Sequence, residues 1–136
     1  MLDVATGIGE PALTIAKFVG SHGSVVGVDI SPDMLEVAKK RANAQGLNNV
    51  TFQVTQDEDL SEFQDATFDA VVCRFGLMFM PDPVRALRAF RRVLKPQRKA
   101  SVTVPSTPEK TTFIALPMKI IAKYVPGFKS PPPGTP

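Results

Sequence analysis

The 136-residue sequence has no tryptophan, one tyrosine, one histidine (His22) and one cysteine (Cys73). A lone cysteine rules out an internal disulfide and fits a reducing compartment, so a cytoplasmic protein is expected. Charge of one sign is also scarce: 16 basic residues against 13 acidic leave a net +3. That excess reads as too small and too dispersed for a nucleic-acid partner. No apolar run approaches the ~20 residues of a membrane span. Asp3 interrupts the start, where a signal peptide would need a basic and then an apolar stretch. No metal ligand set and no catalytic base stand out. His22 falls in a loop and reads as solvated, and Cys73, at a strand end, reads as a small buried hydrophobe.

Proline, by contrast, is abundant, with 13 residues unevenly placed. Ser130 to Pro136 can be neither helix nor central strand, and residues 125–136 are expected to form an extended or disordered tail. Residues 1–124 would form the domain.

Within that domain, strands and helices alternate. A first strand begins at Met1 and has at most four residues, followed by a turn containing Gly7 and Gly9. A first helix starts near Pro11, with Ala12, Leu13, Ala16 and Val19 along one side, and Gly20 to Gly23 end it. Ser24 to Asp29 is a second strand, and Ser31 then caps a second helix with Pro32 at its first position. In that helix Met34, Leu35, Ala38 and Ala42 face inward, while Glu36, Lys39, Lys40 and Arg41 face water. Val50 to Val54 and Phe68 to Cys73 are further strands. A helix from Asp82-Pro83 to Lys95 carries Val84, Leu87, Phe90 or Arg91, and Leu94 on one side, with Arg85, Arg88, Arg92 and Lys95 as a solvated face. Ala100 to Val104 is the fifth strand, and Thr111 to Tyr124 a helix kinked or split by Pro117. This alternation implies an α/β fold with a doubly wound parallel sheet.

A strand, a glycine-rich turn, a helix, and a second strand ending in an acid suit a nucleotide-type ligand at the carboxyl edge of such a sheet. Small residues let the ligand approach the backbone, and a carboxylate at the next strand end can accept both hydroxyls of a ribose. Gly7 and Gly9 supply the turn, and Asp29 the acid twenty residues beyond Gly9.

The stretch Asp3-Val4-Ala5-Thr6-Gly7-Ile8-Gly9 resembles motif I of class I S-adenosylmethionine-dependent methyltransferases. Phe68 to Pro83, with Leu87 and Arg91-Arg92-Val93-Leu94-Lys95-Pro96, resembles the subfamily that includes ubiquinone and menaquinone biosynthesis methyltransferases. The resemblance implies methyl transfer from S-adenosylmethionine to a small-molecule acceptor. It places Gly7 and Gly9 against the methionine portion and Asp29 at the ribose diol, with Asp3, Ala5, Thr6 and Ile30 also in the cofactor site. Asp57 or Glu58 would lie at the adenine, with Arg74 bordering the cofactor.

Ala5 stands where the family has its first glycine, which demands a negative φ there. Gln97-Arg98 replaces a common Gly-Gly. The resemblance also implies a sheet of about five strands lacking the family's late edge strands and its covering helices. A catalytically inactive module that binds cofactor or a partner is the alternative expected on that basis. A nicotinamide oxidoreductase built on the same sheet is disfavoured by the stretch from Phe68 to Pro96.

Overall fold

The shortest strand, β1 (Leu2–Val4), holds the middle of the sheet, and all three of its residues are buried. It lies between β2 (Val25–Asp29) and β4 (Phe68–Arg74), with β3 (Val50–Val54) and β5 (Leu94–Thr103) outside them. The order is β3-β2-β1-β4-β5, and every pair is parallel. Met1 extends the pairing of so short a strand: its carbonyl accepts from Val26 N at 2.9 Å and its ammonium donates to Ser24 O at 2.8 Å. The computed structural model describes residues 1–107, 110–125 and 127–128, so the tail expected over 125–136 lies almost wholly outside the described residues.

Among the described residues, four α-helices accompany the strands: α1 (Ala12–Val19), α2 (Pro32–Ala44), α3 (Pro83–Val93) and α4 (Thr112–Tyr124). Two separate apolar clusters form. Ala12, Leu13 and Ala16 of α1 join Ala42 of α2 against Val25 and Val50. Ala86, Ala89, Phe90 and Val93 of α3 pack with Leu2, Val4, Val28, Val71 and Cys73. A parallel sheet with helices on both faces is the doubly wound arrangement expected. The chain leaves β1 toward β2 on one side, whereas β4 and β5 lie on the other. That reversal creates a crevice outside the carboxyl ends of β1 and β4, where open α/β sheets bind ligands.

Several local expectations need correction. In α2, Leu35, Ala38 and Ala42 are buried as expected, but Met34 is half exposed and Arg41 is partly covered. In α3, the buried side runs through Ala86, Ala89, Phe90 and Val93, while Val84 and Leu87 face water. Both stripes have helical spacing; the alanine side prevails because small residues let the helix lie close to the sheet. The helix stops at Val93 rather than Lys95, since Pro96 clashes with a helical residue before it and holds Lys95 extended. Strand β5 therefore starts at Leu94, six residues before the expected Ala100, and ends at Thr103 rather than Val104. Its register slips between Leu94 opposite Phe68 and Lys99 opposite Ala70. Pro96 and Gln97 (φ +64°) occupy that irregularity, the place in a sheet where a missing N–H is tolerated.

Pro117 does not split α4, which runs unbroken from Thr112 to Tyr124. Proline forfeits one helical bond, to the carbonyl of Phe113. With Phe113 exposed, water can serve that oxygen instead.

Of the expected solvated face, Arg85, Arg88 and Lys95 are exposed, but Arg92 is partly buried. Arg92 donates to the carbonyls of Phe63, Asp59 and Leu60 at 2.8, 3.0 and 2.8 Å, and to the Asp65 carboxylate at 2.8 Å. Arg85 pairs with Asp59 and Lys95 with Asp69. Arg92 and Arg85 hold the irregular segment between β3 and β4 against α3, with Leu60 and Phe63 in the core, whereas the Lys95–Asp69 pair joins β5 to β4. The hydrogen bond from Arg85 keeps the Asp59 carboxyl below its ordinary pKa.

Candidate functional site at the switch point

Where β1 ends, the backbone turns through a run of left-handed residues: Ala5 at φ +59°, Gly7 at +54° and Gly9 at +101°. The negative φ expected at Ala5 is not observed. An L-residue there costs roughly 1–2 kcal/mol, and the surroundings impose it. Thr6 N must reach Val28 O on β2, at 3.0 Å. Room for the alanine methyl comes from Gly76, just beyond β4: a Cβ on Gly76 would stand 2.4 Å from Ala5 Cβ and 2.9 Å from Cys73 Sγ. Gly9 is equally constrained, since a Cβ there would lie 2.9 Å from Leu13 Cδ1 and 3.2 Å from Ala38 Cβ. The glycine thus lets α1 and α2 close beneath the turn.

Two carboxylates fix this loop. Asp3 is fully buried, and its Oδ2 accepts from Thr6 Oγ1 at 2.6 Å and Ala12 N at 2.9 Å. Its Oδ1 has no protein partner. Burial is the largest influence on this group and pushes its pKa up to about 6, against opposing contributions from those two hydrogen bonds and Arg74. At neutral pH, a largely ionised carboxylate therefore lies under the turn. Asp29, at the end of β2, accepts from Gly7 N through Oδ2 at 2.8 Å and from Ser31 N through Oδ1 at 3.0 Å. It ties the glycine turn to the start of α2.

A third support comes from α2. Arg41 Nη1 donates to Ile8 O at 2.7 Å, and Nη2 reaches Glu10 Oε1 at 3.2 Å. Glu10 Oε2 in turn accepts from Thr14 Oγ1 at 2.8 Å. Both charged groups are about one-third exposed, so the ion pair itself adds little. Its consequence is geometric: the Ile8 carbonyl is drawn outward between the two glycines.

Ala5, Thr6, Gly7, Ile8, Glu10, Met34 and Arg74 line a cleft of about 300 Å³ over this turn. Arg74, the last residue of β4, is exposed, with its guanidinium 5.4 Å from the centre of the Phe75 ring. The structure thus gathers Ala5, Thr6, Gly7 and Arg74 at one opening. Asp3 and Gly9 are buried, Asp29 is hydrogen-bonded to Gly7 N of the lining, and Ile30 is exposed next to Asp29.

Asp57 and Glu58 do not line this cleft. The Asp57 carboxylate accepts from Asp59 N at 3.0 Å and Ser61 Oγ at 3.4 Å, closing its own turn beyond β3. That segment is joined to the acid of β2 through Thr55 N, which donates to Asp29 O at 3.0 Å.

A larger cavity, about 520 Å³, lies between α3 and the β3–β4 segment, lined by Asp59, Ser61, Arg85, Arg88, Ala89 and Arg92. Three arginines face one carboxylate there, and its lining includes none of the glycine turn, Asp29 or Arg74. Chemistry, rather than size, selects the smaller cleft. Among the described residues no group of histidine, cysteine or acidic side chains could hold a metal ion. His22 is exposed after α1, and Cys73 is buried, its thiol pKa raised by burial.

Gly76, Arg41, Glu10 and Met34 belong to this site and were not anticipated. Gly76 left one trace in the sequence, a glycine in the loop just beyond the fourth strand. Arg41 and Glu10 are 31 residues apart and carry no common motif.

Residues 1–97 match the profile of a methyltransferase domain. The chain belongs to that family. A 2-phytyl-1,4-naphtoquinone methyltransferase of Trichormus variabilis is 41% identical over 113 residues, covering 82% of this chain and 49% of that protein. The [4+2]-cyclase SpnF is structurally similar, with a TM-score of 0.69 and 34% identity over 76% of this chain and 37% of that one. An arsenic(III) S-adenosylmethionine methyltransferase from Chlamydomonas reinhardtii gives a TM-score of 0.68 and 37% identity over 73% of this chain and 36% of that one. The chain spans about half the length of the curated relatives it matches. Family membership and the doubly wound methyltransferase fold agree with the expectations from sequence.

Proposed function

We propose that this domain binds S-adenosylmethionine in the switch-point cleft and transfers its methyl group to a small-molecule acceptor of the quinone class. The observation that carries this reading is Asp29. Each of its oxygens accepts one backbone N–H. A carboxylate oxygen has two lone pairs, so each retains one for a ribose hydroxyl.

The residues present fit the cofactor. Ala5, Thr6 and Gly7 offer backbone to the methionine portion, and Gly9 keeps that backbone closely supported. The buried Asp3 carboxylate, with its unpartnered oxygen, gives the site a negative charge that suits a cationic ligand. Asp57 or Glu58 would receive the adenine amine, which requires the turn now closed by the Asp57 carboxylate to rearrange or Glu58 to serve instead. Ile30 would pack beside the ribose, and Arg74 would border the reacting end.

S-adenosylmethionine supplies an activated methyl group on its sulfonium, so no residue need activate the donor. This chain's residues would orient the donor for in-line displacement and exclude water from it. A cytoplasmic location goes with this reading, since Cys73 is a buried free thiol. The quinone class rests on the naphthoquinone-acting relative.

Incubation with S-adenosylmethionine labelled in its methyl group and a 1,4-naphthoquinol with one open ring carbon tests this directly. The expected result is labelled, ring-methylated product together with S-adenosylhomocysteine. Cofactor binding with no transfer would favour the binding-module reading. The [4+2]-cyclase relative is the reason to measure transfer itself rather than binding alone.

A further inference from the structure

The net charge is not dispersed along the chain. Residues 110–136 carry four lysines and no acid, whereas in residues 1–109 the 12 basic residues are outnumbered by 13 acidic ones. All of the positive excess therefore lies in residues 110–136, of which α4 carries Lys119 and Lys123 and no acid. Within that helix, Phe113, Leu116, Ile120 and Tyr124 recur at helical spacing and are 68, 58, 51 and 72% exposed. Lys119 and Lys123 fall beside this apolar side, with Lys123 Nζ 5.6 Å from the centre of the Tyr124 ring. Among the described residues α4 has no extended contact with any strand or other helix. None of the described helices is long and apolar enough to cross a membrane.

We propose that α4 is a membrane-surface docking helix, seating its apolar side at the headgroup boundary of an anionic lipid bilayer while its lysines meet lipid phosphates. An apolar face with aromatic residues, bordered by lysines and free of acids, has the chemistry that enters such a boundary. A second copy of the chain is a poorer occupant. Pairing two such helices would bring together two sets of lysines with no carboxylate on α4 to offset them. The segment also leaves β5 at the carboxyl edge of the sheet, the edge that carries the cleft. On the reading that the acceptor is a lipid-soluble quinone, docking through α4 would bring the cleft edge near the membrane holding that acceptor. The docking itself does not depend on that reading.

Flotation of the 136-residue chain with phosphatidylcholine vesicles, and with vesicles that also contain phosphatidylglycerol, tests the proposal. The expected result is co-flotation at least about tenfold stronger with the anionic vesicles, weakened by high salt. The double variant Leu116→Asp/Ile120→Asp should abolish it, and Lys119→Gln/Lys123→Gln should reduce it by about tenfold. All four positions are exposed, so circular dichroism and S-adenosylhomocysteine titration should match the parent chain and separate this result from any failure of the cofactor reading. Equal or absent flotation with both vesicle types would overturn the proposal. So would retention by the Asp double variant, or a stable dimer dispersed by that variant without any vesicle binding.

Discussion

Asp29→Ala is expected to weaken S-adenosylhomocysteine binding by about 10- to 100-fold and to destabilise the domain as well. Two bonds to ribose hydroxyls, each contributing ~0.5–1.5 kcal/mol net, account for the affinity loss at ~1.4 kcal/mol per decade. The stability loss follows from bonds the sequence does not reveal. Gly7 N and Ser31 N both donate to this carboxylate and would be left without a partner, at a cost of about 1–3 kcal/mol apiece. Titration calorimetry well below the melting transition separates the two effects. His22→Ala serves as a control, being exposed and away from the cleft. An Asp29→Ala protein that binds like the parent, only with a lower Tm, would show that the acid closes the turn and nothing more.

The second large effect is a pH dependence of stability centred on Asp3. Its carboxyl has a pKa of about 6 in the folded chain against an ordinary value of 3.8. Between those values the folded state holds a proton that the unfolded chain has released. Stability from this group therefore falls as pH rises from about 4 to about 6, by about 3 kcal/mol in total, and changes little outside that window. The exposed carboxylates Asp59 and Asp69 have lowered values and act in the opposite direction at lower pH. The measurement is therefore a difference: urea unfolding of the parent chain and of Asp3→Asn across this range. The asparagine retains an oxygen for Thr6 Oγ1 and Ala12 N but cannot ionise. The parent should lose stability relative to the variant as pH rises through the window. Parallel curves would mean that Asp3 titrates normally.

Much of this architecture was legible because local chemistry and tertiary structure agree. Ser31 followed by Pro32 announces the start of α2, and the Ser31 hydroxyl indeed accepts from Met34 N at 3.3 Å. Val50 to Val54 forms β3 with the bounds read from its residues. Gly7, Gly9 and Asp29 are brought to one turn because a parallel sheet aligns the carboxyl ends of its strands.

What escaped the sequence depended on contacts between distant segments. The positive φ of Ala5 follows from Gly76, 71 residues away, and from the reach of Thr6 to Val28. The buried side of α3 was misplaced because alanines carry little hydrophobic signal while packing closest to the sheet. Arg92 looked solvated because its acceptors are mostly backbone carbonyls, which any sequence supplies. The same holds for Arg41, whose strongest contact is the carbonyl of Ile8. Asp57 was matched to the adenine by its place after β3, but its carboxylate closes a local turn, so its role stays a proposal.

The central claim, that the switch-point turn is an S-adenosylmethionine site, is tested most directly by titrating the 136-residue chain with S-adenosylhomocysteine and, separately, with NADH. The account predicts saturable binding of S-adenosylhomocysteine, weakened by Asp29→Ala, and no comparable binding of NADH. Binding of NADH without S-adenosylhomocysteine would contradict it.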